Sequence, residues 1–246
     1  MIRGAVLLAA LVSMVWSPAA RTIVVAHDGR IEAFDAAGEK RLWSVDGVAS
    51  PSAGVASRDG KTIAILDGFN DRVAVVSVAD GAAVTHETPG TPVAAAFFGR
   101  DVWVVVRDRS RAVRITPDGQ QTEVALALDP ALIAVSHRFV YVYSRISGLL
   151  QEIDPQSMRV TRTAAAGTAG SGFEVELPKP GDRHGAIGFL SRPAYGKLVV
   201  IDLEPMDVRE RNGGAPADPG AAPSVTVDDA RFAWDAKSGR PVKVKG

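Results

Sequence analysis

The chain has 246 residues, 46% of them hydrophobic, with 28 Lys and Arg against 28 Asp and Glu and no cysteine. A balanced charge without a basic run excludes phosphate-backbone binding, which needs clustered Lys and Arg, so nucleic acid is not an expected partner. The lack of cysteine excludes disulfides, thiolate metal sites, Fe–S clusters and covalent c-type haem, and leaves burial to hold together what the length allows as one all-β domain.

The N-terminus carries Arg3, an apolar stretch from Gly4 to Trp16, and then Ser17-Pro18-Ala19-Ala20. A basic start, an apolar run too short to span a bilayer and small residues at the −3 and −1 positions predict a secretory signal peptide over 1–19, cleaved after Ala19. Cleavage removes only Arg3 among the charged residues, leaving 27 basic against 28 acidic. The expected mature chain, 20–246, is periplasmic or secreted and has no membrane insertion.

From Arg21 onward an apolar strand running into a turn recurs. It is seen in Ile31 to Gly38, Arg72 to Gly81, Ala112 to Gly119, Leu150 to Pro155, Leu198 to Asp202 and Phe232 to Gly239. Aligned just after the strand, the marks are Asp35, Val78, Thr116, Asp154, Asp202 and Asp235, which lie 43, 38, 38, 48 and 33 residues apart. A period near 40 to 45 residues is that of one four-stranded propeller blade.

A polar turn precedes a β-branched or aromatic run in three units: Arg58 to Lys61 before Thr62, Gly99 to Asp101 before Val102, and Ser136 to Arg138 before Phe139. Each predicts a hairpin. Continuous runs such as Val102 to Val106 predict strands covered on both faces, as between stacked blades. The predicted fold is an all-β propeller of about six blades, with five or seven, or a β-sandwich, as alternatives.

Two stretches break the pattern. Residues 167–182 are rich in Gly and Pro around a strand from Phe173 to Leu177, and 212–223 read as a Gly, Pro and Ala loop. Phe173 to Leu203 could alternatively form a small separate insert. Arg21 leads directly into a second-strand segment, so the first blade is expected to lack its innermost strand, with Ser224 to Asp228 or Pro241 to Val244 as the candidates to fill it.

At "PSAGVASRDGKTIAILDGFNDRVAVVSVADGAAVTHETPGTP", Pro51 to Pro92, the chain resembles the YVTN-type β-propeller repeats of bacterial exported proteins, including the YncE-like group. Asp59-Gly60-Lys61, Asp35 to Gly38 and Asp235 to Gly239 fit that pattern, while Ile63 to Leu66 and Tyr141 to Ser144 replace the Y-V-T-N string. The resemblance runs from Arg21 to about Thr163 and implies a periplasmic or secreted binding scaffold. It implies no reaction.

No catalytic set emerges. His27, His86, His137 and His184 are the only histidines; His27 ends one strand and His137 precedes another, which puts them at opposite strand ends. No metal site and no cofactor are expected. The G-x-S-x-G elbow is missing, and Gly170-Ser171-Gly172 sits in loop sequence. Asp67, Asn70, Asp71 and Asp108 are the polar loop residues that a lactonase-like, metal-dependent hydrolase would need at a central opening.

Binding residues are expected at Arg107, Arg109 and Arg111, three guanidiniums in one loop suited to an acidic partner, and at Arg183 and His184. Trp103 and Trp234 are expected in the core, and Trp43 on an outer strand, where an exposed ring would be a partner contact. The expected function is an exported, periplasmic protein-binding or scaffolding module whose partner is another periplasmic or envelope protein. A ligand-binding or hydrolytic propeller is the alternative, distinguished by polar groups converging on the axis.

Overall fold

The computed structural model describes residues 12–179, 185–212, 224–228, 230–235 and 237–244, with the side chains of Val12, Ser224, Val225 and Trp234 outside that set. The first sheet holds β1 (Val12–Ser17), β2 (Thr22–His27), β3 (Arg30–Asp35) and β4 (Arg41–Asp46). The second holds β5 (Pro51–Ala56), β6 (Thr62–Asp67), β7 (Arg72–Ser77) and β8 (Ala83–Glu87). The third holds β9 (Pro92–Phe98), β10 (Asp101–Val106), β11 (Arg111–Ile115) and β12 (Gln121–Ala125). The fourth holds β13 (Pro130–Val135), β14 (Val140–Ser144), β15 (Leu149–Asp154) and β16 (Arg159–Ala165). The fifth holds β17 (Gly172–Glu176), β18 (Ile187–Arg192), β19 (Lys197–Asp202) and β20 (Asp207–Asn212), with a 3-10 turn at Pro193–Tyr195. The sixth has three strands, β21 (Ser224–Val227), β22 (Ala230–Asp235) and β23 (Arg240–Val244).

Every sheet is antiparallel in chain order. The first strands of the first five sheets stand side by side, β1 against β5, β5 against β9, β9 against β13 and β13 against β17, and β21 returns to lie against β1. The molecule is an all-β propeller of six sheets. Stacking explains the sequence pattern, because a lone four-stranded sheet leaves both faces wet whereas a ring buries each against the next. Accordingly Val102 to Val106 are all buried in β10, and β14 is buried along its whole length, while the outer β4 and β16 alternate between exposed and half-buried. The core is a series of clusters between neighbouring sheets, such as Ile65, Val24 and Val76 between the first two. Among the described residues no helix is long and apolar enough to cross a membrane.

Two expectations are corrected. The first sheet does not lack its innermost strand, and the C-terminal segments do not fill it. Val12–Ser17, inside the stretch read as a leader, pairs with β2 from Val12↔His27 to Ser17↔Thr22. The alternation that makes it a strand is visible in burial: Val15 packs toward the second sheet, whereas Met14 and Trp16 pack toward the sixth. The reading of Phe173 to Leu203 as a separate insert also fails, because these residues build the fifth sheet of the ring. Asp235 ends a strand that runs into a turn, as expected, and that strand is the middle one of the three in the sixth sheet. The loop expected at 212–223 lies, apart from Asn212, outside the described residues.

In the first five sheets the chain order defines two faces. Turns from second to third strand, and the connections to the next sheet, form the front. Turns from first to second and from third to fourth strand form the rear.

Candidate functional site

The Arg107 to Arg111 turn lies at the front of the third sheet, and each of its guanidiniums has a carboxylate beside it. Arg107 Nε is 3.5 Å from Asp129, Arg109 Nε 3.8 Å from Asp108 and Arg111 Nε 3.8 Å from Glu123. Arg109 also donates to the Pro89 carbonyl at 3.1 Å. Half-exposed pairs of this kind stabilise little, but they hold the arginines in place. Arg183 and His184 lie outside the described residues.

The front also carries four large apolar side chains that point into solvent. Phe69 is 86% exposed, Leu128 71%, Ile146 70% and Tyr195 56%. Phe69, Ile146 and Tyr195 sit on second-to-third turns of the second, fourth and fifth sheets, and Leu128 sits on the connection between the third and fourth. Backbone and side-chain contacts join these loops. Arg107 reaches Asp129, the Arg145 amide donates to the Asp129 carbonyl at 2.9 Å, and Arg192 donates to the Thr168 carbonyl at 2.7 Å while stacking 4.7 Å over Tyr195. None of the four stands among the binding residues expected from the sequence, although each is a large apolar residue inside a turn between strand runs. That is the signal that would have found them.

A small apolar cavity lies between the first strands of the second to fifth sheets. Ala53 and Gly54, Val93 to Ala95, Ala131 to Ile133 and Phe173 line this cavity of about 190 Å³. The loop acids considered for a hydrolase are used locally instead. Asp67, 2% exposed, accepts hydrogen bonds from Asn70 Nδ2 at 2.8 Å and the Ala49 amide at 3.3 Å, and Asp108 accepts from the Thr91 amide at 2.8 Å. No group of three or more His, Cys, Asp or Glu able to hold a metal ion occurs among the described residues. His27 and His137 are placed on opposite faces, the first at the front end of β2 and the second in a rear turn.

Trp103 is fully buried, with its Nε1 lacking a partner among the described residues. Trp43 does lie on outer strand β4, but it is half-buried: its Nε1 donates to the Val78 carbonyl of the second sheet at 2.8 Å, and its ring packs over Gly81.

At the rear, three clefts open between successive sheets, of about 440, 520 and 430 Å³ from the second-third to the fourth-fifth seam. The last two share the turn His137 to Phe139. Beneath the third cleft, Glu152 is 1% exposed and carries Tyr141, Thr161 and Arg162 as donors. Burial works to raise the Glu152 carboxyl, but these donors outweigh it and hold the group below its ordinary value. Burial pushes the neighbouring Tyr141 phenol up to about 12.

Neither protein-family models nor curated protein sequences match the chain. Solved structures do. Hydrazine synthase of Kuenenia stuttgartiensis superposes with a TM-score of 0.62 at 11% identity, covering 100% of this chain and 99% of that one. A catalytically inactive virginiamycin B lyase from Staphylococcus aureus with quinupristin gives 0.67 at 13%, covering 97% and 85%, and a streptogramin B lyase gives 0.65 at 13%, covering 95% and 83%. At such identities the likeness is one of fold. This chain shares the β-propeller architecture of these proteins.

Proposed function

We propose that this protein is an exported propeller, periplasmic or secreted, that acts as a protein-binding or scaffolding module through its front face. The observation that carries the reading is the set of Phe69, Leu128, Ile146 and Tyr195, held out on four front loops with Arg107, Arg109 and Arg192 on the same face. Exposed aromatic and aliphatic side chains next to arginines are the composition of interface hot spots, where a few anchors carry most of the energy. The apolar lining of the cavity between the first strands supports the same reading, because a ligand or reaction site there would call for polar groups that converge. The partner is another envelope or periplasmic protein, and the resemblance to YVTN-type repeats points the same way.

The test is affinity purification of the tagged full chain and of a Phe69→Ser, Leu128→Ser, Ile146→Ser variant from the same envelope extract. A stoichiometric partner held by the first and lost from the second supports the reading. A partner held equally by both, or none with either, overturns it.

A further inference from the structure

The first-to-second turns of the second, third and fourth sheets each present one exposed arginine at the rear, Arg58, Arg100 and Arg138. Because first strands line the axis, these turns surround the rear mouth of the ring. The turns of the second and fourth sheets meet. Arg58 Nη1 lies 3.3 Å from His137 Nδ1, spanning from the second sheet to the fourth, and Arg100 lines the cleft that also holds Lys61. None of the three makes an ion pair among the described residues, unlike the arginines of the front.

Nearby acids are already engaged. Asp59 accepts from Ser57 Oγ at 2.7 Å and from the Lys61 amide at 3.1 Å, and Asp101 is held by Arg114 Nε at 2.7 Å. Further out, the third-to-fourth turns carry Asp35, Asp80, Asp118 and Asp154, the last lining the same cleft as Arg138. The last three are held below the usual carboxylate range, each chiefly by a local hydrogen bond. The rear therefore has a basic centre inside an acidic surround. Asp154 offsets part of the Arg138 charge, but like charges around one mouth still repel one another, and an anion among them relieves that cost. The outer aspartates limit its size: an extended polyanion would meet them, whereas a compact one would not.

We propose that this mouth binds a small multivalent oxyanion, of the phosphate or tricarboxylate class, between Arg58, Arg100 and Arg138. Planar guanidiniums suit such a ligand, since each offers paired donors to two oxygens. This site lies on the face opposite the protein-binding surface and stands or falls separately from it.

The full chain is titrated calorimetrically at low ionic strength with inorganic phosphate and, in a separate series, with citrate. The expected result is saturable binding of one anion per chain by at least one of them, with no such signal from acetate or chloride. Arg58→Gln and Arg100→Gln each weaken it about tenfold, and Arg107→Gln on the front leaves it unchanged. Absence of saturation by both anions in the millimolar range overturns the proposal, as does binding that survives the Arg58→Gln, Arg100→Gln, Arg138→Gln variant. Should that triple variant not fold, Arg100→Gln alone decides, because Arg100 is an exposed turn residue.

Discussion

Arg162 of β16 donates from Nε to Oε1 of the buried Glu152 at 2.8 Å, and its Nη2 donates to the Leu203 carbonyl of the next sheet at 2.9 Å. One guanidinium thus neutralises a buried carboxylate and ties the fourth sheet to the fifth. Removing it leaves Glu152 charged, 1% exposed and without its main partner. We expect Arg162→Ala to cost about 3 kcal/mol, and Arg162→Met with Glu152→Leu to recover much of that loss. Urea midpoints of the three chains check this.

The same carboxylate predicts acid sensitivity. Burial tends to raise both Glu32 and Glu152, yet His27 and Arg41 around the first, and Arg162 and Thr161 around the second, hold them below the ordinary 4.5. A depressed carboxyl lends stability that is complete above the unfolded value and is lost as pH falls through the folded one. The share of stability from these two carboxylates should therefore be flat from neutrality to about pH 5 and drop below about 4.5, beneath a gentler loss below about 6.5 from His86, whose burial lowers its imidazole. Glu152→Gln should show a shallower drop when urea midpoints are measured across pH 3 to 7.

Gly54 reports on β1. A Cβ there would lie 2.5 Å from Val15 Cγ2 and 3.1 Å from Ser13 Oγ, while the nearest atom outside β1 is the Ala64 carbonyl at an ordinary 3.5 Å. Gly54→Ala should destabilise the full chain by about 1–3 kcal/mol through overpacking. The same change should leave a chain starting at Ala20 almost unaffected. Such a chain uncovers Ile23 and Val25 and should melt on the order of 10 °C lower. N-terminal sequencing of the protein recovered from the envelope shows which of the two forms the cell keeps.

Tyr143 pins the Gly-rich stretch after the fourth sheet. Its hydroxyl donates to the Gly167 carbonyl at 2.8 Å and accepts from the Gly170 amide at 2.9 Å. Tyr143→Phe leaves both backbone groups without that partner and should cost about 1–3 kcal/mol. Faster amide exchange confined to residues 167–172 would locate the effect.

Much of this architecture was legible because a propeller writes one period into its chain. The turns at Arg58, Gly99 and Ser136 and the run Val102 to Val106 each gave a strand boundary or a buried strand that the structure contains. β1 was hidden for a physical reason: Val12 to Ser17 is apolar enough to serve as a leader and alternates well enough to serve as a strand, and composition does not separate the two. The front surface was hidden differently. Nothing local to Phe69 or Ile146 says that both turns end on the same side, since the topology alone brings them together. The pairing of Arg107 with Asp129, likewise, joins two connections that only a closed ring makes adjacent.

The ion pair between Arg21 and Asp228, 2.8 Å long and 207 residues apart in sequence, marks the seam where the first sheet meets the last. During synthesis the middle sheets can stack one after another as they emerge, but the first sheet waits with Met14, Ile23 and Phe34 uncovered until Val227 and Phe232 arrive. The nascent chain therefore carries an adhesive apolar surface for nearly its whole residence on the ribosome. That surface is where a holding chaperone, or a wrong neighbour, would engage it first.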